Sequence, residues 1–246
     1  MAGTLISMKT KKRNLVKGGL KMATDGIFLD SSKLEEIERF HMMGLIRGVT
    51  TNPTIMMQDG VKDIKERAID IADLISPLPV SIEVTSNDPT EMLEQALKFD
   101  RWAPNINVKI TIHGPEGELE NLQVINTLET AMDVRVNVTA MMSAQQAFLA
   151  AQAGATYVSL FGGRINNMGY NACTEIIRLR RLLDACDLDT KIIVGSVREV
   201  ANITDWLSSG AHIVTVPPKF IETMLIHPYT KETVKMFLND AKVIDE

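Results

Sequence analysis

The chain has 246 residues, room for one barrel or doubly wound sheet with a sizeable core, and its 45% hydrophobic and 23% charged residues are ordinary for a globular protein. A net charge of −5 argues against a general nucleic-acid binder, and no apolar stretch is long enough to span a bilayer. The two cysteines, Cys173 and Cys186, and the histidines at 41, 113, 212 and 227 form no metal-ligand pattern, so the sequence predicts a cytoplasmic protein with no metal site.

Residues 1–24 hold Lys9, Lys11, Lys12, Arg13, Lys17 and Lys21 and no acid. They lack the apolar stretch of a secretory signal and read as a mobile basic arm outside the catalytic domain, which is placed at 25–246. From Gly26 onward, short β-type runs alternate with helix-like stretches. A run at 27–30 precedes a helix at 32–43, opened by Ser32 as a cap and carrying Leu34, Ile37 and Phe40 on one face. Runs at 47–51 and 80–84 lead to a helix at 88–99, then come runs at 105–111 and 134–139 and a helix at 143–153. A run at 156–161, a helix at 173–185, a run at 191–196, a helix at 197–209 and a run at 212–216 follow. Gly154 and Gly210 sit just past their helices, where a left-handed cap needs glycine. Residues 228–246 predict a last helix whose Val234, Phe237 and Leu238 dock on the barrel or on a neighbouring subunit.

Eight runs alternating with helices predict an α/β fold, a single (β/α)8 TIM barrel with an extra C-terminal helix. A doubly wound sheet is the runner-up, but Leu29-Asp30-Ser31-Ser32 lacks the glycine-rich phosphate turn expected of it. In such a barrel, chemistry sits at the carboxyl ends of the strands. Those ends are polar here. Alternation places Asn107, Lys109 and Thr111 on one face of their run, with Ile106, Val108 and Ile110 on the other. An amine so placed is either neutralised or a nucleophile, because desolvation disfavours an ammonium and a neutral amine attacks carbonyls. Asp30, Thr50-Thr51-Asn52-Pro53, Glu83, Asn137 and Thr139, Ser159 and Phe161, Arg164, Ser196 and Arg198 fall at the other strand ends. Each also has a plain alternative. Asp30 suits a helix cap, Asn52-Pro53 a turn, Glu83 a structural ion pair and the arginines a solvated surface. Gathered at one rim, a lysine, two carboxylates, small polar groups and two arginines are the inventory for imine chemistry on a phosphorylated sugar.

These residues resemble the transaldolase family, in particular its small members grouped with fructose-6-phosphate aldolase. The resemblance covers about residues 26–240 and rests on Gly48-Val49-Thr50-Thr51-Asn52-Pro53-Thr54, Val108-Lys109-Ile110, Asn137-Val138-Thr139, Phe161-Gly162-Gly163-Arg164 and Gly195-Ser196-Val197-Arg198. It implies that Lys109 forms an imine with a ketose C2 carbonyl and that Asp30 moves the C4 hydroxyl proton. It implies that Glu83 and Thr139 hold a proton-shuttling water and that Asn52, Asn137 and Ser159 bond the dihydroxyacetone part. Arg164, Ser196 and Arg198 are implied to bind the distal anion. No cofactor is implied, and the partners are small sugar phosphates rather than nucleic acid or membrane. Glu83 and Phe161 resemble members that transfer the three-carbon unit, as in the pentose phosphate pathway, more than aldolases that release free dihydroxyacetone. The run Thr111-Ile112-His113-Gly114-Pro115-Glu116-Gly117 departs from the family pattern and keeps a sulfosugar donor as an alternative. Small members commonly assemble as pentamer rings stacked into decamers, so a homo-oligomer is expected.

Overall fold

The protein is described from a computed structural model that covers residues 25–244; the basic segment 1–24 lies outside the described residues. Eight parallel strands close a barrel in sequence order, each hydrogen-bonded to the next and the last to the first. The strands are β1 (Gly26–Asp30), β2 (Val49–Thr50), β3 (Val80–Glu83), β4 (Ile106–Thr111), β5 (Val136–Met141), β6 (Tyr157–Leu160), β7 (Lys191–Val194) and β8 (Ile213–Val216). Around them run α1 (Leu34–Met42), α2 (Pro53–Gln58), α3 (Ile64–Ile75), α4 (Pro89–Asp100), α5 (Glu120–Ala131) and α6 (Ala144–Gln152). The ring continues with α7 (Gly162–Asn167), α8 (Ala172–Ala185), α9 (Val200–Ser208) and α10 (Pro218–Leu225), and α11 (Pro228–Ile244) ends the described chain. This is the (β/α)8 barrel with a C-terminal helix that the alternation of elements predicts.

Alternation along each strand separates two interiors. The outward residues Val49, Ile82, Val108, Ile110, Val138, Val158, Val194 and Val216 join one buried cluster with Ile37, Ile71, Met92, Leu128, Leu179 and Trp206 of the helices. The inward residues divide by height. Towards the amino ends of the strands, Phe28, Tyr157, Ile193 and Ile213 form a separate apolar cluster, with the Phe28 and Tyr157 rings edge to face at 6.5 Å. Above this floor the lumen turns polar with Ser81, Asn107, Lys109, Asn137, Thr139 and Ser159, all buried.

Side-chain caps start several helices. Asp63 accepts from the Lys65 and Glu66 amides before α3, and Asp88 from the Thr90 and Glu91 amides before α4. The expected Ser32 cap of α1 is not formed. Lys33 stands at the cap position, while the Ser32 amide and hydroxyl donate to Asp59 Oδ2 at 3.0 and 2.8 Å. A carboxylate three elements away outcompetes the local turn and ties the β1–α1 loop to the loop after α2. Gly154 and Gly210 do take left-handed φ values of +100° and +105°. Strand β5 runs past the predicted end at Thr139, and its pairing with β6 shifts between Val138 and Met141, where Ala140 has φ +62°. Among the described residues, no helix is long and apolar enough to cross a membrane.

Candidate active site

A cavity of about 530 Å³ opens at the carboxyl ends of the strands. It is lined by Asp30, Asn52, Glu83, Lys109, Thr139, Ser159, Phe161, Arg164, Ser196 and Arg198, so ten of the eleven candidates meet in one place. Asn137 is not in that lining. It lies buried among the barrel's inner residues, where its Nδ2 donates to Ser81 Oγ at 3.0 Å and its Oδ1 accepts from Ser159 Oγ at 2.7 Å.

Lys109 and Glu83 are register partners on β4 and β3, which sets their side chains next to each other on the inner face. Lys109 Nζ lies 3.2 Å from Glu83 Oε2 and donates to the Thr51 carbonyl at 2.9 Å. The lysine side chain is only 7% exposed, so the amine sits inside the barrel and away from bulk solvent. Its carboxylate partner offsets the cost of burying that charge. Thr139 Oγ1, two residues above Asn137 on β5, is buried without a hydrogen-bond partner among the described residues.

Asp30 ends β1. Thr50, opposite it on β2, donates to Asp30 Oδ1 at 2.8 Å. Burial raises the Asp30 carboxyl above the usual aspartate range; the Lys109 charge and the Thr50 hydrogen bond pull it back, and the Asp59 charge adds to the rise. An acid displaced in that direction is suited to moving a proton near neutral pH.

Asn52 resolves two readings at once. Its Oδ1 caps α2 by accepting from the Ile55 amide at 2.9 Å, yet the residue also lines the cavity. The cap commits the oxygen and leaves the amide NH2 group to face a ligand.

Arg164 and Arg198 approach from β6 and β7. The Arg164 guanidinium lies over the Phe161 ring at 5.1 Å from its centroid, which keeps the long side chain in place. Asn202 Oδ1 accepts from the Arg198 and Glu199 amides at 3.3 and 3.1 Å and fixes the turn that carries Arg198. Ser196 sits at φ +63°, a left-handed conformation that costs on the order of 1–3 kcal/mol outside glycine. A Cβ at Gly163 would lie 1.8 Å from the Ser196 carbonyl oxygen, so a bare backbone there lets the two loops close on each other. The result is a mouth with two guanidinium groups and a buried serine hydroxyl that has no hydrogen-bond partner among the described residues.

Thr50, from the polar end of the second run, also lines the cavity, as does Thr215, which the reading of the strand ends does not single out. Thr215 shares the inner face of β8 with Ile213; the alternation in 212–216 signals this, but its mostly apolar composition hides it.

Comparison with known proteins adds a family. The sequence profile of the transaldolase/fructose-6-phosphate aldolase family matches residues 27–246. A probable transaldolase of Carboxydothermus hydrogenoformans is 38% identical over 214 residues, covering 87% of this chain and 96% of that protein. A probable transaldolase of Dehalococcoides mccartyi is 36% identical over 220 residues, covering 89% and 99%. Among solved structures, a thiamine phosphate pyrophosphorylase from Pyrococcus furiosus superposes with a TM-score of 0.54 at 11% identity, over 79% of this chain and 86% of that one. A soluble mutant of (S)-mandelate dehydrogenase from Pseudomonas putida does so with a TM-score of 0.54 at 12% identity, over 78% and 66%. At such identities these two likenesses speak for the barrel alone.

Proposed function

Because this chain belongs to the transaldolase/fructose-6-phosphate aldolase family, we propose that it is a Schiff-base transaldolase moving a dihydroxyacetone unit from a ketose phosphate to an aldose phosphate. The observation that carries this reading is an enclosed amine, Lys109 Nζ, held 3.2 Å from Glu83 in a cavity that also contains Asp30 and two arginines. Glu83 takes the ammonium proton, and the freed amine attacks the ketose C2 carbonyl. Water leaves the carbinolamine with Glu83 and Thr139 guiding its protons, which yields an iminium ion. Asp30 then removes the C4 hydroxyl proton and the C3–C4 bond breaks. Its electron pair moves into the iminium, so an aldehyde departs and an enamine stays on Lys109. An incoming aldehyde is attacked by the enamine carbon and receives the proton from Asp30, and hydrolysis of the new imine frees the product.

The other residues position this chemistry. Asn52 and Ser159 bond the dihydroxyacetone hydroxyls, and Asn137 acts beneath them by orienting Ser159. Arg164 and Arg198 supply donors only and the Ser196 hydroxyl can add one more, a set suited to an anionic group. A phosphate accepts a charge-assisted bond from each arginine, and a sulfonate differs in carrying less charge. Incubation with fructose 6-phosphate, with and without an aldose phosphate, tests the transfer reading. Donor consumption is expected to depend on the acceptor. Equal consumption without acceptor, together with free dihydroxyacetone, would mark a simple aldolase. Preference for the 6-sulfo analogue would move the assignment to a sulfosugar.

The partner in assembly is proposed to be a second copy of the chain. Helix α11 buries none of its residues against its own barrel, and Val234, Phe237 and Leu238 form an exposed apolar stripe along it. Phe237→Asp is expected to lower the mass measured by sedimentation while the barrel stays folded; an unchanged mass would remove α11 from any subunit contact.

A further inference from the structure

We propose that Thr215, acting through Thr50, is a positioning residue that decides which oxygen of Asp30 moves the substrate proton. The inference rests on the imine reading above. Thr215 and Thr50 stand on β8 and β2, the strands that flank β1 on its two sides, and Asp30 ends β1 between them. Thr50 Oγ1 lies 2.8 Å from Asp30 Oδ1 and 2.5 Å from Thr215 Oγ1.

A threonine hydroxyl has one hydrogen to give. An ionised Asp30 only accepts, so Thr50 gives its hydrogen to Oδ1. Thr215 must then be the donor to Thr50. This one-way chain of hydroxyls occupies Oδ1 from the side of the barrel wall and polarises the Thr50 bond. Oδ2 is left for the substrate. The C4 O–H bond breaks and an O–H bond forms at Oδ2 while the C3–C4 electron pair enters the iminium. The chain keeps its direction throughout, because the proton arrives on the oxygen that Thr50 does not hold. A proton on Oδ1 would either reverse both threonine hydroxyls or turn the acceptor of the Thr50 bond into a neutral hydroxyl and weaken that bond.

Thr215 is itself held in place. It is 7% exposed, and its Cγ2 would come within 3.1 Å of a Cβ at position 195. The glycine there makes room for the methyl group and leaves the hydroxyl turned toward Thr50.

Thr215→Val keeps the shape and removes the hydroxyl. Its kcat for transfer is expected to fall about 10-fold with KM for the donor within about 2-fold of wild type. The acid limb of kcat against pH should move to higher pH, because the carboxylate loses support from its hydrogen-bond chain. Borohydride trapping on Lys109 should be unchanged. Thr215→Ser should restore both kcat and the limb, and Thr215→Ala, which cannot overfill the site, should reproduce the valine result. Unchanged kcat and pH limb in the valine and alanine variants would overturn the proposal, as would a loss that serine does not repair. Failure of the wild type to trap an imine would instead overturn the imine reading itself.

Discussion

Lys109→Met is expected to abolish transfer, with a loss on the order of 10^4-fold or more, because no other amine is available to become the imine nitrogen. Among the described residues that line the cavity, Lys109 is the only lysine. Borohydride added during turnover with a ketose phosphate should leave a reduced sugar on the Lys109 peptide of the wild type and nothing on the variant. Labelling at a different lysine, or turnover by the variant, would reassign the nucleophile. The substitution also strips Glu83 of its cation. A partly buried carboxylate without its partner destabilises a fold by roughly 3–5 kcal/mol, so Lys109→Met/Glu83→Gln serves as the folding control. That double variant should recover the melting temperature and none of the activity.

Asp30→Asn should separate the two halves of the chemistry. Imine formation uses Lys109 and Glu83, so trapping should persist, while C3–C4 cleavage should slow by about 10^2–10^4-fold. The wild-type acid limb should fall above the usual aspartate range, as burial raises the Asp30 carboxyl, and the variant should lack it. The same shift fixes a sign for stability. A carboxyl whose folded value is raised contributes stability at low pH that is lost as pH climbs through that value. Above that value the ionised Asp30 is therefore a net burden on the fold. Asp30→Asn should melt higher than wild type at pH 7, and the gain should disappear in acid. Undiminished cleavage would transfer the acid–base role to another group.

The barrel was legible because periodicity changed cleanly between strands and amphipathic helices, as at Asn105 to Thr111 and in α8. Short helices were not. Helix α7 begins at Gly162-Gly163, and α2 follows Asn52-Pro53, so both starts read as turns. Strand β2 is reduced to Val49–Thr50, although Arg47, Gly48 and Thr51 on either side still exchange backbone hydrogen bonds with β1 and β3. The inward placement of Asp30, Glu83, Lys109, Asn137, Thr139 and Ser159 followed from strand parity, whereas Asn52, Phe161, Arg164, Ser196 and Arg198 lie past the strand ends. The bonding of these residues did not follow from it. Asn52 spends its oxygen on Ile55 within the first turn of α2, a local bond hidden because that start reads as a turn. That Asn137 is committed between Ser81 and Ser159 is a fact of distance between strands. Thr215 was hidden for the same reason: its significance comes from Thr50, 165 residues away.

The apolar floor made by Phe28, Tyr157, Ile193 and Ile213 has a kinetic consequence. Among the described residues these side chains close the barrel beneath the amine, so the departing aldehyde and its replacement share the opening at the carboxyl ends of the strands. Under the proposed chemistry they cannot occupy it together, so turnover takes a double-displacement form with a carbon-loaded enzyme between two visits. Parallel lines in reciprocal plots, and inhibition of the ketose half by excess aldose, are the signatures of such a one-door vessel.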